Sequence, residues 1–447
     1  MKFLALLTVC TSSFLVASSL SSVNVAVPSI ADDLSMDAVT SSWVVTSFTL
    51  ASAAFLVPLG RIADIRGRRA TFLLGNALFV LASMLSGSLA SSRALIFSRF
   101  VQGLGGAMIF ATGVAILSST FDRHERGRAI GLQSASVYTG LAIGPLIGGL
   151  LTEALGWRSV FFFNAPLGAT VIALSIPMLK GEQDEALGEK FDFVGALLYV
   201  ATIISIMLGL SESSIILSSL GVFLLLSFIF WELRAHYPIL ELKLFKNLMF
   251  ALSNVVALLN YAATYAVSLI LSLYLQYVKG LTPYQAGLVL TVQAAFQAIL
   301  SPIAGSLSDR FEPRVIASAG MGIAAICLWC FSYITPATSI LLVTLTLAFL
   351  GIGLAFFISP NTYAIMSSVE SKFYGIASAM TATMRNLGQS LSLSIIALLL
   401  ATYLGKGVVV SSANLTEFME CIKTAFRVFS ALCVVGVGAS LVRGKLR

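Results

Sequence analysis

Long apolar runs alternate with short polar breaks along the whole chain. The runs are about 20 residues long, which is the length an α-helix needs to cross the hydrocarbon core of a bilayer. They lack the two-residue alternation of a half-buried strand, so helices are favoured. Hydropathy and length predict fourteen spans, over residues 4–27, 40–60, 70–90, 95–118, 128–152, 158–179, 193–211, 214–231, 248–277, 285–307, 315–334, 338–359, 373–402 and 421–441.

The composition excludes a soluble protein. Of 447 residues, 58% are hydrophobic and only 11% are charged, and the mean hydropathy is +0.95. Soluble domains reach roughly 45–50% apolar residues. Most of the surface must therefore contact lipid, where every backbone polar group has to be satisfied within a helix or a closed barrel. The sequence predicts an all-α membrane protein that is embedded in a lipid bilayer.

The basic residues are interpreted as topology signals, and we expect no nucleic-acid partner despite the net charge of +7. Nineteen Lys and Arg residues lie at the ends of the chain or in loops on the side of the termini, and five lie in loops on the other side. An even number of spans puts both termini on one side. The positive-inside rule then predicts a multi-pass protein of the cell membrane with both termini cytoplasmic.

Two similar charged turns occur far apart in the chain. "GRIADIRGRR" over 60–69 and "GSLSDRFEPR" over 305–314 each follow one span and precede the next. The matching positions, each 245 residues apart, are Gly60 and Gly305, Asp64 and Asp309, and Arg69 and Arg314. Such a repeat predicts two homologous six-helix bundles, over 1–180 and 247–447. Residues 181–246 would then form a linker and two inserted helices.

Further motifs follow in a fixed order. They are "RFVQGLGGA" over 99–107, "GLAIGPLIGG" over 140–149, "WRSVFFFNAPLG" over 157–168 and "RNLGQSL" over 385–391. Together with the turn at 60–69, they resemble the major facilitator superfamily and, within it, the fourteen-span drug:proton antiporter branch. The resemblance implies the major facilitator fold, with two six-helix bundles plus two inserted helices. It also implies a central cavity that opens alternately to each side of the membrane.

The resemblance implies three groups of functional residues. A cytoplasmic gate would include Gly60, Asp64, Gly67, Arg68, Asp309 and Arg314. A helix-packing motif would include Gly140, Gly144, Pro145, Gly148 and Gly149. Arg99 and Arg385 would supply the charges of the cavity or of coupling. Plainer interpretations stay open. Arginines of the turn also serve as topology anchors, and small residues serve ordinary helix packing. An arginine near a span end also snorkels to the interface.

An acid is missing where this branch usually carries one. Alignment on Asn24 and Pro28 puts Ser19 at that position, and no Asp or Glu falls near the middle of a predicted span. A cavity with arginines and no fixed negative charge disfavours cationic substrates relative to neutral, zwitterionic or anionic ones. Proton coupling either uses an acid at a span end, such as Asp32, Asp33 or Glu212, or is absent.

Polar and aromatic residues at mid-span depth are candidates for the lining of the substrate cavity. They are Asn24, Gln133, Tyr138, Asn260, Tyr261, Tyr265, Gln293, Gln297 and Asn361. Gln293 and Gln297 lie one turn apart and share a helix face. Polar side chains in membranes also serve helix packing, so each of these positions has two interpretations.

We therefore expect a monomeric secondary transporter that exports a small organic compound by alternating access, with proton coupling left open. No nucleophile–base pair or metal-ligand cluster occurs, so we expect no enzyme activity, no cofactor and no metal. One alternative is an exporter of organic anions or amphipathic lipids, favoured by an interior that holds only arginines. The other is a membrane sensor that transports nothing.

Overall fold

The computed structural model describes residues 2–179, 191–212, 214–236, 238–240, 242–308, 310–369, 374–405, 408 and 414–444. The regular elements within these ranges are helices. Fourteen of them are long and apolar enough to cross a membrane, which confirms the prediction of an all-α membrane protein.

Six spans form the first half of the molecule. They are α1 (Lys2–Asp33), α2 (Ala38–Arg66), α3 (Arg68–Ser88), α4 (Ser92–Thr120), α5 (Arg123–Leu155) and a sixth span in two pieces, α6 (Arg158–Phe162) and α7 (Asn164–Ser175). A 3-10 turn, Ile176–Leu179, extends α7. The helices pack mainly as α1 on α5 and as α4 on both α2 and α3.

The second half repeats this arrangement. Its spans are α10 (Leu248–Thr264) continued by α11 (Val267–Leu273) and a π-turn (Tyr274–Val278), α12 (Pro283–Ser308), α13 (Pro313–Phe331), α14 (Ile340–Ser367), α15 (Tyr374–Tyr403) and α16 (Leu415–Val442). Helix α14 packs on α12 and α13, and α10 packs on α15 and α16. Two helices, α8 (Phe193–Ser211) and α9 (Ile215–Glu232), separate the halves in sequence.

The two halves meet along two pairs of helices. Helix α5 of the first half packs on α12 of the second, and α2 packs on α15. Helix α8 lies against both α2 and α15, and α9 packs on α8. Tyr199 of α8 donates a hydrogen bond to the Ala53 carbonyl of α2 at 3.2 Å, and Ser394 of α15 contacts the Met207 sulfur of α8 at 3.2 Å. Helix α8 therefore bridges the junction between the halves.

An even number of crossings puts the start of α1 and the end of α16 on one side, which we name the termini face; the other side is the opposite face. Apolar side chains cover the outside of the bundle, as lipid contact requires: Leu81, Phe97 and Ile215 are each more than half exposed. The predicted boundaries at 180/181 and 246/247 stay predictions, and residues 180–190 lie outside the described part.

Candidate functional site

Arg385 lies in a span with aromatic side chains of both halves around it. Its guanidinium carbon is 5.3 Å from the ring centroid of Phe110 on α4, a cation–π distance. Tyr138 of α5 and Tyr261 of α10 also lie near Arg385, and their two phenol groups lie within hydrogen-bonding reach of each other. Three of the predicted cavity residues therefore meet at one place, which we name the Arg385 site and define as Arg385, Phe110, Tyr138 and Tyr261.

The Arg385 site combines a fixed cation with three aromatic rings at the junction of the halves. Helices α4 and α5 supply two of its residues, and α10 and α15 supply the others. Gly388, one turn after Arg385, permits the approach of α10, because a Cβ there would lie 2.6 Å from the Leu258 carbonyl oxygen. Such a site suits a flat organic molecule with an anionic or electron-rich group.

Arg99 is fully buried and is held within the first half. Its Nε donates to the Val44 carbonyl at 2.9 Å, and one terminal nitrogen donates to Gln102 Oε1 at 2.5 Å. Its guanidinium carbon lies 4.7 Å from the Phe48 ring centroid. The second terminal nitrogen has no protein hydrogen-bond partner. A buried arginine with no carboxylate partner among the described residues is costly in a membrane and marks this place as a functional candidate.

Ser19 takes the position of the missing acid and accepts hydrogen bonds from amides. Asn164 Nδ2 donates to its hydroxyl at 3.1 Å, and Gln102 Nε2 lies 3.5 Å from it. Asn164 also donates to Ser83 at 2.8 Å. The two amides join Ser19 to Arg99 through Gln102, so a network of neutral groups surrounds this cation.

The glycines of α5 make close contacts with two different helices. Added Cβ atoms at Gly140 and Gly148 would lie 2.6 Å from the Phe14 carbonyl oxygen and 2.4 Å from the Ser22 carbonyl oxygen, both on α1. At Gly144 an added Cβ would overlap the Ser21 hydroxyl of α1. These three glycines therefore set the packing inside the first half.

Gly149 and Pro145 face the other half instead. A Cβ at Gly149 would lie 2.4 Å from the Pro283 carbonyl oxygen and 2.9 Å from the Tyr284 Cα, both on α12. Gly287 of α12 lies in turn against Pro145, with 2.3 Å between an added Cβ and the Pro145 carbonyl oxygen. The motif thus supplies backbone contacts both within one half and between halves.

The predicted gate residues of the first turn lie at the termini face. Arg68 Nε donates to Asp64 Oδ1 at 2.7 Å across the turn between α2 and α3. Gly67 has a φ of +112°, a conformation that glycine tolerates and residues with a Cβ avoid. Gly60 precedes the turn, within α2, and faces α4 with 3.4 Å between an added Cβ and the Ala111 Cβ.

The second turn is described only in part. Arg314 donates to the Leu441 carbonyl at 3.4 Å, near the end of α16. Asp309, its predicted companion, lies outside the described residues. This hydrogen bond lies within the second half.

The other cavity candidates are spread over both halves. Gln133 is buried and donates to Ser13 at 3.0 Å, a contact within the first half. Gln293 and Gln297 are half-buried on α12. Buried polar atoms without a protein partner occur at Asn24, Asn260 and Tyr265.

Asn361 belongs to a buried network near the termini face. Its Oδ1 accepts a hydrogen bond from Arg443, which is 1% exposed, and its Nδ2 donates to the Ser253 carbonyl at 3.0 Å. Arg443 also donates to the Ser253 hydroxyl at 3.2 Å. In the sequence, Arg443 is only one of the topology charges, because it lies at the very end of the last span. This arrangement favours a packing role for Asn361.

Hydrogen bonds at the opposite face join the two halves, and the sequence did not predict them. Gln276 donates to the Val25 carbonyl at 3.0 Å, and Tyr277 donates to the Pro28 carbonyl at 3.3 Å. Tyr277 also donates to Asp32 at 3.2 Å. Most of these acceptors are backbone carbonyls, which have no sequence signal. The structure is therefore closed between these segments at the opposite face.

The acids that could serve coupling lie at helix ends. Asp32 contacts the second half through Tyr277, whereas Asp33 pairs with Arg158 of the first half at 2.7 Å. Trp157 also donates to Asp33 at 3.1 Å. Glu212 follows the end of α8.

Comparison with known proteins identifies the family. The family model for the Major Facilitator Superfamily matches residues 9–393 and again 253–445. The chain is 32% identical to the riboflavin transporter RibZ of Clostridioides difficile (strain 630) over 393 residues, 87% of this chain and 86% of that protein. It is 34% identical to the cephamycin export protein CmcT of Amycolatopsis lactamdurans over 428 residues, 92% of this chain and 87% of that protein.

The chain therefore belongs to the Major Facilitator Superfamily and is a membrane transporter. A solved structure of the nucleoside transporter NupG, a mutant form, matches with a TM-score of 0.65 over 98% of this chain and 99% of that one. At 13% identity, this likeness shows the fold alone.

Proposed function

We propose that the protein exports a small organic compound by alternating access, with the Arg385 site as the place where substrate binds. The observation that carries the proposal is the meeting of Arg385 and Phe110 with Tyr138 and Tyr261 from opposite halves. A substrate held there would contact both halves, so its binding would bias their relative position. The similarity to a cephamycin export protein supports the direction of transport.

An anionic or neutral substrate fits the charges of the described interior better than a cation. Arg99 and Arg385 lie within spans, and the acids Asp32 and Asp33 lie at the end of α1. A lipophilic cation would meet positive charge at the Arg385 site, which is unfavourable in a medium of low dielectric constant.

Uptake of a neutral nutrient is the second candidate. The chain resembles the riboflavin transporter RibZ about as closely as it resembles the export protein CmcT. A flavin ring would stack on tyrosines as readily as a drug would. The direction of transport distinguishes the two functions.

The proposed setting is the cell membrane, with the termini face in the cytoplasm and the protein acting as a monomer. The turn at Asp64 and Arg68 would then be a cytoplasmic gate that stabilises one conformation. Proton coupling, if the protein uses it, would involve an acid at a span end, and Asp32 is the best placed because it contacts Tyr277 of the other half.

Transport into everted membrane vesicles tests the proposal. The probes are a cephamycin, which carries a carboxylate, riboflavin, which is neutral, and tetraphenylphosphonium, a lipophilic cation. We expect energised uptake of a cephamycin or riboflavin and none of the cation.

Arg385→Gln should reduce transport of the carboxylate substrate by about 10–100-fold, which corresponds to the loss of a charge-assisted hydrogen bond. Arg427→Gln, an exposed arginine of α16, is the matched control.

Two outcomes would oppose the proposal. Proton-driven uptake of the cation by the wild type would contradict the charge argument. Equal transport by Arg385→Gln and Arg427→Gln would remove the Arg385 site from substrate recognition. Accumulation of riboflavin in intact cells, without uptake into everted vesicles, would favour the nutrient-uptake function.

A further inference from the structure

The guanidinium of Arg99 is buried in the membrane with incomplete hydrogen bonding. Its three nitrogens have different surroundings: one donates to Val44, one to Gln102, and the third has no partner in the protein. The side chain has no exposed surface. An unpaired buried charge is far more costly than an unpaired neutral group.

Tyr265 of the second half lies near Arg99. It lies at the break between α10 and α11, where it packs against the apolar cluster of the first half that holds Leu20 and Phe48, the ring over which the Arg99 guanidinium lies at 4.7 Å. Its buried hydroxyl also has no hydrogen-bond partner in the protein. One unpaired donor from each half therefore lies at the same junction.

Two unpaired donors beside a buried cation are suited to an anion. A guanidinium N–H and a phenol O–H both donate, and an anion accepts from both while it neutralises the charge. The nearby Ser19 supplies no charge, and its hydroxyl already accepts from Asn164. We propose that Arg99 and Tyr265 together bind a monovalent anion, either a free chloride ion or the carboxylate of an organic substrate.

This site would link anion binding to the contact between the halves. Arg99 is held by α2 and α4, whereas Tyr265 moves with the second half. A bound anion would therefore stabilise the conformation in which the two donors are close. The site differs from the Arg385 site in its residues, and its occupancy does not depend on the export proposal.

Thermal unfolding of the full chain, purified in a nonionic detergent, tests the inference. Sodium chloride and sodium acetate are each titrated against sodium methanesulfonate, a bulkier reference anion, at constant ionic strength. We expect a saturable rise in Tm with chloride or acetate, since an anion at ten times its Kd multiplies the folded-to-unfolded ratio by about 10. A rise with chloride alone assigns an inorganic ion, and a rise with acetate assigns a carboxylate.

Variants separate this site from a general effect of anions. Ser19→Asp places a carboxylate beside Gln102 and Arg99, so it should abolish the rise, while Ser19→Ala should keep it. Tyr265→Phe removes one donor and should weaken the apparent affinity by about 2–10-fold. If Ser19→Asp fails to fold, Tyr265→Phe still tests the site.

Three results would overturn the inference. They are equal Tm values of the wild type in all three salts, a rise in Ser19→Asp as large as in the wild type, and an unchanged affinity in Tyr265→Phe. In the first case water, and not an anion, occupies the two donors. The assay involves no transport, so its failure leaves the export proposal standing and a failed transport assay leaves this inference standing.

Discussion

Gly149 offers a direct way to push the two halves apart. A Cβ at this position would lie 2.4 Å from the Pro283 carbonyl oxygen, whereas ordinary contacts begin at 3.4 Å. The obstacle is the backbone of α12 and not a flexible side chain, so Gly149→Ala requires α5 and α12 to separate by about 1 Å here. Overpacking of this kind costs about 1–3 kcal/mol, offset by the roughly 1 kcal/mol that Ala contributes to helix stability over Gly.

The expected effect is a loss of closure at the opposite face. A net cost of up to about 2 kcal/mol changes the ratio of closed to open molecules by up to about 30-fold. Oxidative cross-linking measures this ratio with cysteines introduced by Glu153→Cys and Tyr284→Cys in a background without the five native cysteines. In the wild type, the Tyr284 N–H donates to Glu153 Oε2 at 3.1 Å across this interface.

Gly131→Ala is the matched control, because it lies in the same helix and an added Cβ there has no atom within 4 Å. It should leave the cross-linking yield unchanged and should not lower Tm. If Gly149→Ala cross-links as readily as Gly131→Ala, the close approach at Gly149 does not control closure and the argument is refuted.

Three further substitutions have outcomes that thermal unfolding of the purified protein checks. Gly67→Ala should lower stability by about 1–2 kcal/mol, since its φ of +112° is unfavourable for a residue with a Cβ; an unchanged Tm would contradict this. Tyr199→Phe should cost about 0.5–1.5 kcal/mol by removing the hydrogen bond to the Ala53 carbonyl, and it should slow transport because α8 contacts both halves. Asn361→Ala should cost about 1–3 kcal/mol by removing the amide acceptor of Arg443, which keeps only the Ser253 hydroxyl among its described side-chain acceptors, with substrate preference unchanged; a changed preference would return Asn361 to the cavity.

The spans could be predicted from the sequence because every helix that crosses a bilayer needs a run of about 20 predominantly apolar residues. The break in the ninth span could not. That span is interrupted at Tyr265 and Ala266 with no proline or glycine beside the break, whereas Pro166 follows the break at Phe163 in the sixth span by three residues. Packing against neighbouring helices decides such breaks, and this information is spread over distant parts of the chain.

The candidate site could be predicted only as separate residues. Charges inside predicted spans pointed to Arg99 and Arg385, because a cation within a membrane is costly and marks a functional candidate. The neighbours of Arg385 could not be inferred, since Tyr138 and Tyr261 come from different halves and meet only after both halves have folded. Asn361 shows the converse difficulty: its polar side chain resembles a cavity residue, and its partner Arg443 lies at the end of the last span.

Alternating access itself is measured by two distances between the halves. Spin labels at Arg93→Cys and Tyr333→Cys report on the opposite face, and labels at Ser119→Cys and Val315→Cys report on the termini face; all four positions are exposed. On adding a transported substrate, the account predicts that one distance lengthens while the other shortens. Two distances that stay fixed, or that change in the same direction, would contradict it.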